Sequence, residues 1–248
     1  MDEFHLTLLP GALEIESKHV SFYNECFSYW KRIWSHILVD DPMFSDSFRR
    51  QNIICALSSE AGVVGLIACS FFRGKDHSTF DTQYFHPFVK AGFQPKSNTS
   101  LMSIEYLSVD KSLRKGNLGF SLGSVLLGIG MKVYESSKMD FCLGTARSKI
   151  NVDKMCYSFG FKPEGTCMKA GHPCTLIVNN QSQLTRHPDK QVDFLVQDLW
   201  KERINLTNYT YLDATDGVDY AAINYGPSIR NSTERPKRYR EPFALGGP

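Results

Sequence analysis

The chain has 248 residues, 42% of them hydrophobic, and its 28 basic and 26 acidic side chains leave a formal net charge of +2. A chain of this length forms one large domain or two small ones, and its 17 Phe and 11 Tyr residues exclude disorder as the main state. The near balance of charge argues against an extended nucleic-acid-binding surface.

The seven cysteines indicate a reducing compartment. Their number is odd, they lie in segments with core character, and no Cys-x-x-Cys pair occurs. The first residues lack the basic region and the apolar run of a signal peptide, and no segment approaches the roughly 18 apolar residues of a membrane span. We therefore expect a cytoplasmic protein without a membrane partner.

The first predicted helix covers residues 16–38, where apolar side chains recur at spacings of three and four. They are Val20, Tyr23, Phe27, Trp30, Ile33, Trp34 and Leu38. A short helix is expected at 44–50. Residues 52–72 contain two apolar, β-branched runs on either side of Ser58–Gly62, which predicts a β-hairpin. Residues 73–100 are polar and interrupted by Gly and Pro, and we expect a long ordered loop or insertion there.

The second half of the chain alternates predicted strands and helices. The patterns predict a strand at 100–109, a helix from about 118 to 133, a strand at 139–147, a short helix at 151–159 ending at Gly160, two strands within 161–180, and a helix at 189–203. This alternation predicts the α/β class, with a domain spanning residues 1–204.

The C-terminal segment 205–248 loses this periodicity. It is polar, rich in Tyr and Gly, and ends with a basic run at 230–240 that Glu234 and Glu241 dilute. We expect an extended arm that packs on this subunit or forms a homo-oligomer, or a solvated tail, and not a nucleic-acid-binding arm.

No metal site is expected. Cys167, His172 and Cys174 are spaced by five and two residues and lack a clear fourth ligand, which makes a weak zinc signal. A β-turn at Gly171–Pro173 accounts better for this segment.

A basic, glycine-containing turn joins the strand at 100–109 to the next helix. Arg114 and Lys115 supply charge, while Gly116 and Gly119 allow the backbone to approach a ligand closely. A turn before a helix presents unpaired N–H groups and the positive end of the helix dipole, where a phosphate can bind. The turn is neither a P-loop nor a GxGxxG motif. An ordinary solvated turn is the alternative.

The order of elements around this turn resembles the GNAT acyltransferase superfamily. The resemblance covers residues 15–180 and is strongest at 103–165, where strand, turn, helix, strand and a short helix before Gly160-Phe161 follow one another. It implies a mixed, mostly antiparallel sheet flanked by helices. It also implies that the strand before the turn splays from its neighbour to admit the pantetheine arm of acyl-coenzyme A.

In that family the turn has the pattern Arg/Gln-x-x-Gly-x-Gly/Ala and binds the pyrophosphate of the acyl-CoA. Arg114 and Gly119 match its first and last positions, whereas Asn117 stands at the middle glycine, with Gly116 one place earlier. The resemblance implies that the strand end and the turn hold the cofactor. These residues are Leu107, Ser108, Val109, Arg114, Lys115, Gly116, Asn117, Leu118 and Gly119.

Glu105 is the candidate general base. In a regular strand Glu105 shares a face with Leu107 and Val109, so its carboxylate is expected among apolar neighbours. By resemblance, such a Glu takes the proton of the acceptor amine, directly or through water. The alternative is a structural carboxylate paired with a nearby Lys or Arg.

The candidate general acid lies on the short helix. The family often has a Tyr four residues before the Gly of Gly-Phe, a place that Cys156 occupies here, with Tyr157 next to it. Successive side chains on a helix are about 100° apart, so at most one of the two can protonate the departing thiolate. A third alternative needs no acid, because the thiolate of coenzyme A leaves readily, and Cys156 is then a core residue.

The resemblance implies an acyl-CoA-dependent N-acyltransferase in which the acceptor amine attacks the thioester directly in a ternary complex. The backbone N–H of Leu107 or Val109 would polarise the carbonyl. Acetyl-CoA is the expected co-substrate. One alternative is an N-acyl amino acid or acyl-homoserine lactone-type synthase using a longer chain or acyl-carrier protein, with the insertion at 73–100 lining an acyl tunnel. Another is a non-catalytic binding or structural protein on the same scaffold.

Overall fold

The computed structural model describes residues 4–38, 44–76, 78–114 and 118–213. The first half contains β1 (His5–Pro10), α1 (Val20–Trp34), α2 (Phe44–Arg49), β2 (Ile53–Ser59), β3 (Gly62–Arg73), α3 (Ser78–Asp81), α4 (His86–Lys90) and β4 (Ser100–Val109). The second half contains α5 (Leu122–Ser137), β5 (Phe141–Arg147), α6 (Val152–Tyr157), β6 (Lys162–Lys169), β7 (His172–Asn180), α7 (Lys190–Lys201) and β8 (Ile204–Asn205).

The strands form one sheet in the order β6-β7-β5-β4-β3-β2-β1-β8. The pairs β4–β5 and β1–β8 are parallel, and the other neighbouring strands are antiparallel. The expected mixed, mostly antiparallel sheet flanked by helices is therefore confirmed. None of the helices in the described ranges has the length and apolar character to span a membrane.

Alternating strand residues divide the core between the two faces of the sheet. On β2, Ile53 and Cys55 pack with α5 and α7, whereas Ile54 and Ala56 pack with α1. This is the two-residue period of a strand that is covered on both faces. Both β2 and β3 are accordingly buried over most of their length.

Helix α5 lies at the centre of one face. The Ser121 hydroxyl caps its first turn by accepting the Ser124 N–H at 3.1 Å. Near its middle, Gly128 lets α7 approach, because a Cβ at this position would overlap the Val196 side chain. The predicted helix therefore packs on a second helix as well as on the sheet.

The insertion at 73–100 is better ordered than a loop, because it contains α3 and α4. The buried rings of Phe85 and Phe88 cover Leu101 and Leu143 of the sheet. The polar sequence of this segment conceals these helices, since each has five residues or fewer and no periodicity develops over such a length.

Strands β1 and β8 are absent from the sequence-based prediction. They pair at the sheet edge, where Leu206 N–H donates to Leu8 O at 2.9 Å, and the chain continues to the fully buried Leu212. Contacts with the domain thus extend to Asp213, past the expected boundary at 204. The rest of the expected arm, residues 214–248, lies outside the described residues.

Candidate active site

The two parallel central strands separate halfway along their length. β4 pairs with β5 from Leu101 to Ile104, opposite Phe141–Gly144, and the ladder ends there. Beyond it, residues of both strands line a cavity of about 360 Å³. The splayed strand implied by the family resemblance is therefore present.

A bulge in β4 shapes this cavity. Ala68 of β3 lies opposite Glu105 and Leu66 lies opposite Ser108, so β4 carries one extra residue, and Tyr106 has a φ of 57°. A positive φ is rare for an aromatic residue and marks strain that the surroundings must hold. The Trp34 ring packs edge-on against Tyr106 at 5.2 Å and holds it in place.

The bulge contradicts the expected neighbours of Glu105. Leu107 and Val109 pack on the α5 side of the sheet, as Ile104 does, so Glu105 points to the opposite face. One extra residue in a strand moves every later side chain to the other face. The prediction that Glu105 shares a face with Leu107 and Val109 is therefore wrong.

The Glu105 carboxylate is buried and has two polar partners. Arg50 on the chain after α2 donates to Oε2 at 2.5 Å, and the Ser103 hydroxyl donates to Oε1 at 2.8 Å. The Glu105 side chain is 2% exposed, whereas that of Arg50 is 38% exposed. The ion pair of a structural carboxylate, the alternative to a general base, is thus observed, and the carboxylate still lines the cavity.

Tyr84 of the insertion completes this group. Its ring lies 5.7 Å from the Arg50 guanidinium, and its hydroxyl donates to Leu143 O at 3.3 Å. Burial, followed by the Glu105 charge, raises the pKa of Tyr84 well above its usual value and that of Tyr106 to about 12. For Arg50, burial acts to lower the pKa, but Glu105 and the two tyrosines raise it overall. Both phenols therefore stay neutral near pH 7.

The end of α1 forms one wall of the cavity. Trp34 Nε1 donates to the Ser108 hydroxyl at 2.7 Å, which in turn donates to Tyr106 O at 2.7 Å. This chain of hydrogen bonds ties the helix to the bulge. Ile33, Ile37 and Leu38 add apolar surface. Sequence periodicity assigned Ile33, Trp34 and Leu38 to the core, and only the position of the bulge shows that they border a cavity.

The cavity extends to the start of α5. Ser121 and Gly123 line it there, together with Arg114, whose Nε donates to Val109 O at 2.8 Å. Gly119 has a φ of 76°, and no atom of the described part of the chain lies within 4 Å of an added Cβ. Leu118 and Gly119 are not among the lining residues, and Lys115, Gly116 and Asn117 lie outside the described residues.

Helix α6 brings one of the two candidate acids to the cavity. Cys156 is 3% exposed and lines the cavity, whereas Tyr157 is 38% exposed and lies outside its lining. Burial, with a smaller effect of Asp153, raises the pKa of the Cys156 thiol to about 12. Cys156 is therefore a neutral thiol that can still donate a proton.

Three residues of β5, β6 and β7 also line the cavity, and no sequence pattern places them there. They are Arg147 at the end of β5, Lys169 at the end of β6 and His172 at the start of β7. In the sheet, β5 borders the gap and β7 and β6 follow it, and no local pattern specifies that order. The β6–β7 turn itself is at Ala170-Gly171, and strand β7 already begins at His172, inside the predicted turn.

The described residues contain no group of three or more His, Cys, Asp and Glu side chains placed to hold a metal ion. Cys167 and Cys174 face each other across the β6–β7 hairpin. All seven cysteines are free thiols, and six of them are buried.

A scan against known protein families and a search of curated protein sequences each found no match. Among solved structures, the chain is similar to BjaI, a CoA-dependent acyl-homoserine lactone synthase determined with SAM and isopentyl-CoA. The identity is 10% and the TM-score 0.55, over 85% of this chain and 98% of that one. It is also similar to mosquito arylalkylamine N-acetyltransferase like 5b, with 14% identity and a TM-score of 0.51, over 72% of this chain and 100% of that one.

These similarities, the sheet order and the splayed central strands define the fold as that of the GNAT superfamily. At identities of 14% and 10%, they concern the fold and not the reaction. The fold expected from the order of elements around Arg114–Gly119 is confirmed.

Proposed function

We propose that this protein is an acyl-CoA-dependent N-acyltransferase that moves an acyl group, with acetyl as the first expectation, to an amine. The observation that supports this most is the gap between β4 and β5, which brings a free strand edge and the buried Glu105 carboxylate to one cavity. An amine and a thioester that enter from opposite faces of the sheet can meet there.

The free edge of β4 is suited to the acyl donor. Asp110 N–H donates to Val64 O of β3 at 2.9 Å, so the N–H groups of Val109 and Leu107 point away from β3, toward the gap. There they can bind pantetheine amides or polarise the thioester carbonyl. The start of α5 and Arg114 offer partial and full positive charge to the pyrophosphate.

Direct transfer needs one base and at most one acid. The amine nitrogen attacks the thioester carbon, Glu105 takes the amine proton directly or through a water molecule, and the C–S bond breaks to release the thiolate. Of the two candidate acids, Cys156 is the lining residue with a proton to return to the sulfur, but its raised pKa makes it a weaker acid than an ordinary thiol, so departure of the thiolate without an acid is favoured. Tyr157 lies outside the cavity lining and is the weaker candidate.

The acyl group has apolar surroundings. Ile104, Leu127, Phe161 and Ile177 line the cavity on the α5 side. This surface favours the second candidate, a synthase that transfers a longer chain from coenzyme A or acyl-carrier protein, since each buried methylene contributes about 0.8 kcal/mol. Tyr84 is the member of the 73–100 insertion that reaches the cavity.

We keep the cytoplasm as the proposed location, because free cysteines persist in a reducing compartment. A homo-oligomer through residues 205–248 also stays a proposal. The size of the protein in solution, with and without residues 214–248, tests it.

An acyl-transfer assay tests the proposed function. The full chain is incubated with acetyl-, octanoyl- or decanoyl-CoA and a mixture of amines, and acylated products are detected by mass spectrometry. We expect product with at least one donor. Binding of the donor without product from any amine class would favour a non-catalytic protein on the same scaffold.

A further inference from the structure

The cavity carries more positive charge than its acidic residues neutralise. Of the described residues that line it, Arg114, Arg147 and Lys169 are cationic and Glu105 is the single acid. Glu105 is already paired with Arg50. Within the described part of the chain, neither Arg147 nor Lys169 forms an ion pair.

Arg147 and Lys169 lie on the Glu105 side of the sheet. Leu143 of β5 packs with the insertion on that face, and Arg147 follows it by four residues on the same strand, so both share this face. Lys169 Nζ lies 5.2 Å from the Tyr84 ring, which the Arg50 guanidinium also contacts. Donor-binding groups of α5 and α6 line the opposite face.

The Arg147 guanidinium has a buried donor, its Nε, without a hydrogen-bond partner among the residues that the structure describes. A buried donor without a partner costs about 1–3 kcal/mol, and native structures rarely keep one unless a ligand, an ion or water satisfies it. A carboxylate is well matched to such a group, because two of its oxygens can accept two parallel N–H donors of one guanidinium.

On the basis of the proposed acyltransferase function, we propose that the acceptor is an amine that also carries a carboxylate, as an α-amino acid does. Arg147 and Lys169 bind the carboxylate, and the amine points to Glu105. Trp34, Tyr84 and Tyr106 present aromatic surface beside this position and suit an apolar amino-acid side chain.

Paired acceptors test the role of the carboxylate. Each common L-amino acid is compared with its carboxamide, using acetyl-CoA and octanoyl-CoA, and phenethylamine and spermidine serve as amines without a carboxylate. Amidation lowers the pKa of the amine, so the amide offers more free base at pH 7.5. A preference for the acid therefore runs against intrinsic reactivity. We expect kcat/KM about tenfold higher for the best amino acid than for its amide.

Charge variants locate the carboxylate site. Lys169→Gln and Arg147→Gln should each bring the ratio of acid to amide close to one, mainly by raising KM for the acid. Lys162→Gln, on the same strand as Lys169 but outside the cavity lining, should leave the ratio unchanged. Lys169 is exposed, so its variant is expected to fold even if Arg147→Gln does not.

Four outcomes would overturn the proposal. The protein could acylate the amide as efficiently as the acid. Alternatively, the variants could weaken coenzyme A binding and leave the ratio of acid to amide unchanged, in which case the cations bind the phosphates of the donor. If amines without a carboxylate are acylated and no amino acid is, the acyltransferase function stands and the acceptor proposal fails. If nothing is acylated and no donor binds, both proposals fail.

Discussion

At the residue scale, Tyr106 determines which face of β4 carries the chemistry. The residues from Glu105 to Val109 alternate as in a regular strand. This alternation predicts that Glu105, Leu107 and Val109 share a face. The bulge at Tyr106 separates them, and it depends on Trp34 and Ser108, which are far apart in sequence. Glu105 as a candidate could therefore be found from the sequence, but its orientation and its ion pair with Arg50 could not.

Glu105→Gln separates a base from a structural carboxylate. Gln keeps the size and can still accept hydrogen bonds from Arg50 and Ser103, but it cannot take the amine proton. We expect donor binding to persist and kcat/KM to fall by about 10²–10⁴-fold. The loss should shrink as pH rises, since more of the acceptor amine is then already neutral.

Thermal unfolding and a pH–rate profile measure this change. A structural carboxylate would give a lower melting temperature and a residual activity whose pH dependence matches that of the wild type. Full activity of Glu105→Gln across the pH range would remove Glu105 as the base and leave an ordered water or another lining residue in that role.

Cys156→Ala and Tyr157→Phe test the acid as a matched pair on one helix. Cys156 lines the cavity and Tyr157 does not, so we expect Tyr157→Phe to retain wild-type kcat. If Cys156 protonates the thiolate, Cys156→Ala lowers kcat with little change in KM, and Cys156→Ser recovers part of it. Equal kcat in wild type and Cys156→Ala would show that the thiolate leaves unprotonated, and a loss confined to Tyr157→Phe would contradict the geometry.

At the scale of elements, most helices and strands could be predicted because their own residues specify them. The β2–β3 hairpin, β4, β5, α6 and α7 all lie close to their predicted positions. Sequence patterns could not predict the short helices α3 and α4 or the edge strands β1 and β8, because the stability of these elements comes from residues distant in sequence. The close packing of α5 on α7 could not be predicted either. The sequence contains Gly128, which permits this packing, but does not specify which helix lies against it.

Gly128→Ala tests the contact between α5 and α7. Alanine favours a helix over glycine, yet here its Cβ would overlap the stiff, branched Val196 side chain. We expect the free energy of unfolding to fall by about 1–3 kcal/mol, measured by urea denaturation. Adding Val196→Ala should recover part of this loss. Gly123→Ala, whose Cβ would meet Met155 at an ordinary 3.5 Å, is the control on the same helix and should not destabilise the fold.

A gain in stability from Gly128→Ala alone would show that α7 moves away freely. The close approach of the two helices would then have no part in the stability of this layer.

At the scale of the whole molecule, the sheet order brings distant segments to one cavity. Arg147, Lys169 and His172 come from strands that follow Glu105–Gly119 in the chain and are separated from it by helix α5, and Tyr84 comes from the insertion before it. The candidate residues from Glu105 to Gly119 are contiguous, so they could be named from the sequence. The residues proposed for the acceptor could not, because only strand pairing makes them neighbours.

Truncation tests the contribution of residues 204–213. A chain ending at 213 keeps β8 and Leu212, whereas one ending at 203 loses both, and neither contains residues 214–248. Leu212 is fully buried and Leu206 N–H bonds to β1, so we expect the shorter chain to be less stable by at least about 2 kcal/mol. Equal urea midpoints for the two chains would show that this edge of the sheet adds nothing.

Calorimetric titration with acetyl-CoA and with a longer acyl-CoA tests most directly the claim that the gap between β4 and β5 is a donor site. We expect saturable binding to the wild-type chain and strongly weakened binding to Gly119→Val, which puts a branched side chain at the approach to α5. Gly92→Val is the matched control, because Gly92 also has a positive φ and open surroundings but follows α4 instead of preceding α5. Two results would contradict the claim that this gap is a donor site. One is that millimolar donor gives neither binding heat nor thermal stabilisation, and the other is that folded Gly119→Val binds the donor as tightly as the wild type.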